Sequence, residues 1–265
     1  MIVIIGAGIS GLIAAKNLKA NGREVIVLEK SRGYGGRMAT RHMDDARLDH
    51  GAQFFTIKES FLDSELPEML EGKKVKHWHK NDYGHSRYCG TTGMNAIGRH
   101  FADELDVRLN TKVTKLKWNN VHWELICDNG KRFESKSIIS TMPAPQFIDL
   151  VDYSKLQLQK MQLQQLEAVE YKPCFALLAV LKGPSSLTAP GVLKFTDHPV
   201  IETISDNYVK GISPVPAMTI HSSLTYAEKH LSDDRDAVAE TLEAAASEFV
   251  DFEIAESSVH SWLYA

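Results

Sequence analysis

Features that define several functional classes are scarce or absent in this 265-residue sequence. It contains only three cysteines, Cys89, Cys127 and Cys174, and they form no CxxC pair, so neither a disulfide framework nor a cysteine-based zinc cluster is expected. No apolar run approaches the roughly 20 residues of a membrane-spanning helix. Charge is nearly balanced, with 30 Lys and Arg against 34 Asp and Glu, so neither nucleic acid nor an anionic membrane is expected as a partner.

Other features that the sequence lacks exclude further classes of protein and of functional site. No internal repeat or low-complexity tract is present, and the apolar start has no basic leader or cleavage site, so it is interpreted as a strand rather than a signal peptide. Together with the cysteine usage, this favours a reducing, cytoplasmic location. His77 and His79 have no Asp or Cys that completes a ligand set, and no metal site is predicted. Neither a Ser–His–Asp set nor paired carboxylates can be identified, so no catalytic side chain is predicted.

The N-terminal stretch is typical of a nucleotide-binding β–α–β unit. Ile2 to Ile5 is a continuous apolar run, as in a parallel strand that is buried on both faces. It leads directly into GAGISG, residues 6–11, which matches GxGxxG, and then into an apolar helix pattern over Leu12 to Leu18. Glu24 to Leu28 is predicted to be the second strand. The strand and helix context favours a dinucleotide site over a purely steric glycine turn.

The three glycines of this motif and the acid that follows the second strand each have a physical reason for their position. Gly6 permits the tight turn, Gly8 lets a pyrophosphate approach the backbone, and Gly11 lets the helix pack close to the strand. Glu29 ends the second strand, where its carboxylate can accept hydrogen bonds from both ribose hydroxyls of an adenosine. A 2′-phosphate would be repelled there.

A second glycine turn indicates which dinucleotide is bound. Gly35-Gly36-Arg37 follows Glu29 closely, and close backbone approach together with a guanidinium suits the pyrophosphate of an extended FAD. The arrangement resembles glutathione-reductase-type flavoproteins and, within them, the flavin amine oxidases. The whole stretch SRGYGGRMATR, residues 31–41, is most similar to the renalase-like branch. The alternative is a basic, glycine-rich surface loop.

Three further segments carry the same resemblance. LDHGAQFF, residues 48–55, is similar to a segment that lies beside the isoalloxazine in this family, where Gly51 and Ala52 would permit close approach and Gln53 would offer a donor and an acceptor. His50 is interpreted as a packed or hydrogen-bonded residue more readily than as an acid–base catalyst. NTKVTKL, residues 110–116, is similar to the family's pattern at the adenine, so the resemblance would place the Val113 backbone there. HSWLYA, residues 260–265, resembles the strand that returns toward the flavin.

The resemblance therefore implies FAD as the cofactor. Noncovalent binding is expected, because no histidine or cysteine lies in a recognisable attachment motif. The residues expected to bind FAD are Gly6, Ala7, Gly8, Ile9, Ser10, Gly11, Glu29, Lys30, Gly35, Gly36, Arg37, Met38, His50, Gly51, Ala52, Gln53, Phe54 and Val113.

The predicted fold class is α/β, with a Rossmann-like FAD-binding lobe of glutathione-reductase type that carries an antiparallel β-meander. Four strands, at 107–109, 113–118, 121–127 and 132–133, are assigned to this meander. A second, α+β substrate lobe is expected on a mixed or antiparallel sheet. We expect residues 1–57 and 91–149 to form the FAD-binding domain and residues 58–90 and 150–265 to form the substrate domain, with Pro143 and Pro145 at the crossing between them.

The resemblance implies an oxidoreductase that oxidises isomeric dihydronicotinamide dinucleotides, 2- or 6-dihydro-NAD(P), with O₂ as the acceptor and H₂O₂ as a product. One alternative is a flavin amine oxidase, whose aromatic pair would come from Tyr83, Tyr88, Trp262 and Tyr264. A further alternative is a truncated, non-catalytic nucleotide-binding protein. It arises because the Gly-Asp motif and closing helix with which family members usually end are expected beyond residue 265 and are not in this sequence.

Overall fold

A computed structural model describes residues 1–57, 65–81 and 83–265. Its strands are β1 (Ile2–Ile5), β2 (Val25–Leu28), β3 (Thr40–Met43), β4 (Ala46–Asp49), β5 (Val75–Lys80), β6 (Ser86–Gly90), β7 (Asp106–Arg108), β8 (Val113–Trp118), β9 (Trp123–Cys127), β10 (Arg132–Ser135), β11 (Ser137–Ser140), β12 (Cys174–Leu181), β13 (Val192–Lys194), β14 (Ile201–Asp206), β15 (Ala217–Ser222) and β16 (Ile254–Trp262). The helices are α1 (Ile9–Ala20), α2 (Glu65–Glu71), α3 (Asn95–Ala102), α4 (Ala144–Tyr153), α5 (Lys160–Glu167), α6 (Leu224–His230) and α7 (Arg235–Ser247). None of the helices in the described ranges is both long and apolar enough to span a membrane.

The chain divides into two compact units. Unit 1 comprises Met1–Gly36 with Ile97–Glu170, and unit 2 comprises Arg37–Ala96 with Tyr171–Ala265. These limits differ from the expected ones at residues 57, 91 and 149. Compactness does not show which residues bind the cofactor, so the division into a FAD-binding and a substrate domain stays a prediction.

Unit 1 is built on a parallel sheet of four strands in the order β11-β1-β2-β7. Its centre, β1, pairs with β2 from Ile2↔Val25 to Ile5↔Leu28 and with β11 on its other side. Val3, Ile4 and Ile5 are buried because both neighbouring strands and both faces of the sheet are covered. The carboxyl end of β1 is thus held at the centre of the sheet, where the glycine turn begins.

The antiparallel meander of unit 1 has three strands, in the order β10-β9-β8. The expectation of a fourth strand at 107–109 was wrong, because β7 pairs in parallel with β2 through Val27↔Val107. Alternation in so short a segment does not reveal which sheet it joins. The meander packs on the parallel sheet through a shared apolar core that includes Leu116, Leu125 and Leu28.

The prolines after β11 begin a helix. Pro143 lies at the N-cap of α4 and Pro145 in its first turn, and α4 belongs to unit 1. Proline is tolerated there because the first helical N–H groups have no partner within the helix. The strand β11 ends at Ser140, and the chain does not pass to the second unit until after Glu170, so the predicted crossing at Pro143 and Pro145 was wrong.

Unit 2 contains an antiparallel sheet in the order β13-β14-β15-β12-β16. Side chains of β12 alternate between its two faces. Phe175 and Leu177 are buried in the core with Leu242 of α7, whereas Ala176 and Leu178 are buried against Leu48 of the β3–β4 hairpin. This contact anchors the hairpin, and with it the segment that follows Asp49, on a rigid sheet.

The predicted α/β fold, with its Rossmann-like unit and antiparallel meander, is confirmed, and the second sheet is antiparallel. The sequence pattern predicts helices over 59–72, 156–171 and 233–251. The last two are shorter than predicted, since α5 covers only Lys160–Glu167 and α7 only Arg235–Ser247. Residues 59–64 of the first lie outside the described residues, and α2 covers Glu65–Glu71.

Candidate functional site

The glycine motif of unit 1 forms a tight turn between β1 and α1. Gly6 has φ +109°, which favours glycine, and a Cβ added at Gly11 would lie 2.0 Å from the Gly6 carbonyl oxygen. The second glycine turn is held against the first, because Gly35 N–H donates to the Ala7 carbonyl at 2.9 Å. Gly6 and Gly11 are therefore required by the fold itself.

Gly8 differs from these two glycines. A Cβ added at Gly8 would meet no atom within 4 Å, and its φ of −69° is accessible to any residue. Gly8 is also the N-cap of α1, and no side chain caps this helix. The N–H groups of the first turn thus face open space, which fits an approaching phosphate. These residues fit the pyrophosphate of a dinucleotide.

Glu29 lies at the end of β2 and is buried. Its Oε2 accepts a hydrogen bond from Ala7 N–H at 2.7 Å, and its Oε1 accepts one from Ser31 N–H at 2.8 Å. Each carboxylate oxygen has a second acceptor position, so Glu29 can still bind ribose hydroxyls while it ties the glycine turn to β2. The arrangement fits the adenosine part of FAD.

We expect Glu29→Gln to weaken FAD binding by about 10-fold or more, because the variant loses charge-assisted acceptors and directs an amide donor at backbone N–H groups. The measurement is the dissociation constant from fluorescence titration of the FAD-free protein. Glu24→Gln serves as the control, since Glu24 is exposed and precedes β2. Equal affinity in the Glu29 variant and the native protein would refute this role.

For the other residues of unit 1 that are predicted to bind FAD, the structure gives less specific support. Lys30 is exposed, and its Nζ donates to Gln146 Oε1 at 3.1 Å. Val113 is buried at the start of β8, opposite Cys127. Ile9 and Ser10 form the first turn of α1, and Ser10 is exposed. Binding of FAD by these residues stays a prediction.

In unit 2, the segment after β4 is tied by its backbone to residues 37–39. Ala52 N–H donates to the Arg37 carbonyl at 2.9 Å, and His50 N–H donates to the Ala39 carbonyl at 3.2 Å. A Cβ added at Gly51 would lie 2.0 Å from that Arg37 oxygen, so only glycine fits this position. Met38 is half-buried at the end of the 3₁₀ turn over Gly36–Met38. The fold thus explains Gly51 independently of any ligand.

A buried ion pair stabilises the segment that follows β4. Lys210 Nζ donates to Asp49 Oδ2 at 2.9 Å, and both side chains have 0% exposure. The other oxygen, Oδ1, accepts from the Thr40 hydroxyl at 2.6 Å and from Met94 N–H at 2.8 Å. Lys210 also lies over the Trp78 ring, 4.7 Å from its centroid. The carboxylate and the ammonium are therefore both well satisfied by partners inside unit 2.

The same network holds Gln53. Its Oε1 accepts from Lys210 Nζ at 3.2 Å, and its Nε2 donates to the carbonyls of Asp49 at 2.6 Å and of Gly51 at 3.2 Å. The amide donor expected to face the flavin ring is therefore already engaged within unit 2. Gln53 fixes the turn at Gly51, and its contact with the flavin stays a prediction.

Three histidines, His50, His221 and His260, form what we call the histidine cluster of unit 2. The ring of His260 meets that of His50 edge-on with centroids 4.6 Å apart, and Trp262 stacks on His50 at 5.3 Å. The His50 carbonyl accepts from Trp262 Nε1 at 2.6 Å and from His221 Nε2 at 3.2 Å. The cluster is thus a packed unit in which His260 meets the His50 ring and His221 meets the His50 backbone.

The cluster is uncharged at neutral pH. Burial, followed by the neighbouring His260, His221 and Arg41, lowers the pKa of His50 to about 3. Burial also lowers the pKa of His221 and of His260, and Arg41 lowers the latter further. Nδ1 of His50 is buried without a hydrogen-bond partner among the described residues. His50 is therefore a poor base near pH 7, as the interpretation of it as a packed residue anticipated.

This pKa predicts how stability depends on pH. The folded protein keeps His50 neutral, whereas the unfolded chain takes up a proton below about pH 6.5. Stability from this group is therefore full above about pH 6.5 and falls as the pH is lowered toward 3, by about 1.4 kcal/mol per pH unit. Urea denaturation between about pH 7 and pH 5 should show a shallower pH slope for His50→Gln than for the exposed control His42→Gln. Equal slopes would contradict a neutral, buried His50.

Sequence reasoning located the glycine turns, Glu29 and the segment after Asp49. It missed the Lys210 partner, since a lone lysine 161 positions along the chain from Asp49 gives no pairing signal. It also missed Arg41 and His221 as neighbours of His50. His260 and Trp262 were found only through the resemblance of HSWLYA.

Comparisons with known proteins agree with this arrangement. A family described as NAD(P)-binding Rossmann-like domain matches residues 4–63, and the family Flavin containing amine oxidoreductase matches residues 60–204. Renalase of Mus musculus is 24% identical over 258 residues, which cover 87% of this chain and 74% of that protein. A putrescine oxidase from Kocuria rosea is 33% identical over 92 residues, which cover 35% of this chain and 18% of that protein.

Solved structures share the fold. A putrescine oxidase variant with a redesigned cofactor site superposes with a TM-score of 0.68 at 17% identity, over 97% of this chain and 84% of that one. A fatty acid isomerase from P. acnes gives a TM-score of 0.69 at 12% identity, over 99% of this chain and 86% of that one. An oxidase and an isomerase therefore share this fold, which shows that the fold alone does not determine the reaction.

The matched family and the relatives identify this chain as a FAD-dependent oxidoreductase. The family match over residues 60–204 covers more than half of the chain. The chain therefore belongs to the flavin containing amine oxidoreductase family, as a renalase-like member. The expectations of an enzyme and of FAD as its cofactor are confirmed.

Proposed function

We propose that this protein oxidises isomeric dihydronicotinamide dinucleotides, 2- or 6-dihydro-NAD(P), and transfers the electrons to O₂. The substrate loses a hydride and becomes NAD(P)⁺, while O₂ gains that electron pair and protons and becomes H₂O₂. Bound FAD supplies the hydride acceptance and the reaction with O₂. The similarity to renalase over 87% of the chain supports this choice within the family.

The observation that carries the proposal is the uncharged histidine cluster beside Arg41. Burial lowers the pKa of all three imidazoles, and the cation Arg41 lowers the pKa of His50 and of His260 further. An alkylamine is protonated near pH 7, so Arg41 disfavours its binding beside these two rings. A dinucleotide is anionic, and the same cation favours it.

The proton balance points in the same direction. A dihydronicotinamide that gives up a hydride becomes a pyridinium without releasing a proton, so its oxidation needs no general base. An ammonium substrate must first lose a proton, and His50, with its pKa of about 3, does not accept one at pH 7. The chain's own part is then to bind and orient the substrate and to exclude water.

In unit 1, the Gly8 turn and Glu29 would hold the pyrophosphate and ribose of FAD. In unit 2, the resemblance assigns Gly51, Ala52 and Gln53 to the neighbourhood of the isoalloxazine. The Lys210–Asp49 pair, through Gln53, would keep that segment rigid. Rigid support of this kind is what precise positioning of a reacting ring requires.

An amine oxidase is the second candidate, because the matching family is that of flavin containing amine oxidoreductases. Such an enzyme would present aromatic faces to the amine. Trp262 stacks on His50, Tyr88 packs beside Phe55, and Tyr264 packs edge-on against Tyr171. Three of the four candidate rings thus already have other ring partners, which does not favour an aromatic pair.

Steady-state turnover separates the two candidates. We expect H₂O₂ in equal amount to the NAD⁺ formed from 6-dihydro-NAD or 2-dihydro-NAD, and none from putrescine or benzylamine. Turnover of an amine with no turnover of either dihydronicotinamide would overturn the proposal in favour of the amine oxidase.

We also infer a cytoplasmic location. The three cysteines are free thiols, and burial raises the pKa of each of them, to about 11 for Cys127 and Cys174. Free, unreactive thiols support a reducing compartment. Fractionation of the native host should recover the protein with cytoplasmic markers, and recovery with secreted proteins would refute the inference.

A further inference from the structure

Unit 2 contains a cavity of about 350 Å³ beside the segment that follows Gln53. Phe54 and Thr56 line it on one side, and Asn81, Tyr83, His85 and Arg87 line it on the other. Two backbone hydrogen bonds of 2.9 Å between Phe55 and Tyr88 hold the two sides together. The volume is at the lower end for small-molecule sites, so it suits a part of a ligand rather than a whole dinucleotide.

Arg87 gives this cavity its chemical character. Its guanidinium lies over the Phe54 ring, with the guanidinium carbon 4.1 Å from the ring centroid. Its Nε is buried and has no hydrogen-bond partner among the described residues. A buried donor left without an acceptor is unfavourable, and the planar N–H donors of a guanidinium are suited to carboxylates and phosphates. The position of Arg87 therefore indicates an anionic ligand.

The opposite rim adds an aromatic ring and polar groups. Asn81 Oδ1 accepts from the N–H groups of Tyr83 at 3.2 Å and of His85 at 2.8 Å, which fixes the turn between β5 and β6. The Tyr83 ring is 86% exposed at this rim, so its face can stack on a planar group. None of the described side chains that line the cavity is acidic. The lining thus combines one cation, aromatic faces and neutral polar groups.

We propose that this cavity is the subsite for the phosphate-bearing adenosine half of the dinucleotide substrate, with Arg87 as its phosphate anchor. This inference rests on the proposed function, because a dihydronicotinamide dinucleotide has an adenosine half that does not react. The cavity begins at Phe54, which directly follows the segment assigned by resemblance to the flavin ring. Binding of this remote half raises kcat/KM without touching the reacting ring.

The first test compares 6-dihydro-NAD with 6-dihydronicotinamide riboside, which lacks phosphates and adenosine, on the FAD-loaded 265-residue protein. We expect Arg87→Gln to lower kcat/KM for the dinucleotide by about 10- to 100-fold and to leave the riboside unchanged. Arg87→Lys keeps the charge without the planar donors, so an intermediate loss is expected. Arg132→Gln is the matched control, since Arg132 is an exposed arginine of unit 1 that pairs with Glu124.

The second test measures binding without turnover. ADP-ribose contains the phosphates and adenosine but no nicotinamide, and in the FAD-loaded protein the FAD occupies the Gly8 turn and Glu29, so calorimetric titration of the FAD-loaded protein reports on the subsite alone. We expect its dissociation constant to rise by about 10- to 100-fold in Arg87→Gln and to stay unchanged in Arg132→Gln. Inorganic pyrophosphate should bind more weakly than ADP-ribose, because it lacks the base that Tyr83 would stack on.

The outcomes distinguish this inference from the proposed function. Equal kcat/KM losses for dinucleotide and riboside in Arg87→Gln, or no loss for either, would overturn the subsite while the proposed function stands. Pyrophosphate binding as tight as that of ADP-ribose would also overturn it, in favour of a general anion site. If neither dihydronicotinamide is oxidised but ADP-ribose binding depends on Arg87, the proposed function fails and an adenosine-phosphate site remains.

Discussion

Gly8→Ala should fold like the native chain and lose FAD. An alanine Cβ at this position meets no atom within 4 Å, and the backbone there has φ −69°, so the folded protein accommodates it. The methyl group would occupy the space in front of the α1 N-terminus, where a pyrophosphate must approach the backbone. Loss of two charge-assisted hydrogen bonds corresponds to about a 100-fold or greater rise in the dissociation constant.

The measurement is FAD content by visible absorbance, together with the circular dichroism spectrum of the same samples. Gly183→Ala is the matched control, because its added Cβ also meets nothing within 4 Å but lies in unit 2, away from the turn. Gly11→Ala should instead disrupt the fold, since its Cβ would lie 2.0 Å from the Gly6 oxygen. A folded Gly8→Ala protein with native FAD content would mean that the glycine turn has only a steric role.

Lys210→Met should destabilise unit 2 by about 3–5 kcal/mol, because the substitution leaves the Asp49 carboxylate buried without its cation. Methionine has a similar length and no charge, so loss of packing contributes little. The measurement is the free energy of unfolding from urea denaturation. The double variant Asp49→Asn with Lys210→Met should recover much of the loss, since it buries no net charge.

Lys182→Met provides the comparison for this prediction. Its Nζ also lies 2.9 Å from a carboxylate, that of Glu253, in the same unit, but both side chains are exposed. We expect a change of at most about 1 kcal/mol from an exposed pair. Similar losses in Lys182→Met and Lys210→Met would show that the burial of the Asp49 pair has no special effect.

The parts of the fold that sequence reasoning found are those with local signals. The apolar run Ile2–Ile5 followed by glycines fixed the centre of the parallel sheet, because a strand of that composition must be covered on both faces. The continuous apolar stretch at 174–181 indicates a buried strand. In both cases, neighbouring residues determine the structure.

The parts that it missed depend on partners far along the chain. The segment at 106–108 alternates like a meander strand but joins β2, a choice made by tertiary packing. Met142-Pro143-Ala144-Pro145 was interpreted as a crossing, although proline is equally compatible with the first turn of a helix.

In the candidate site, too, sequence reasoning missed the features that depend on partners far along the chain. Gly8 and Glu29 were identified from motif spacing, whereas the Asp49–Lys210 pair and the stacking of Arg87 on Phe54 arise only when separate strands meet. Sequence reasoning correctly regarded His50 as a packed residue. It did not anticipate that His221 and His260 would surround it and help to keep it neutral.

The most direct test of the account is anaerobic addition of 6-dihydro-NAD to the purified, FAD-loaded protein while the visible spectrum is recorded. The account predicts that the flavin absorbance bleaches rapidly and returns on admission of air, with H₂O₂ formed in equal amount to the substrate oxidised. A flavin spectrum that dihydronicotinamides leave unchanged and that an amine bleaches would contradict it.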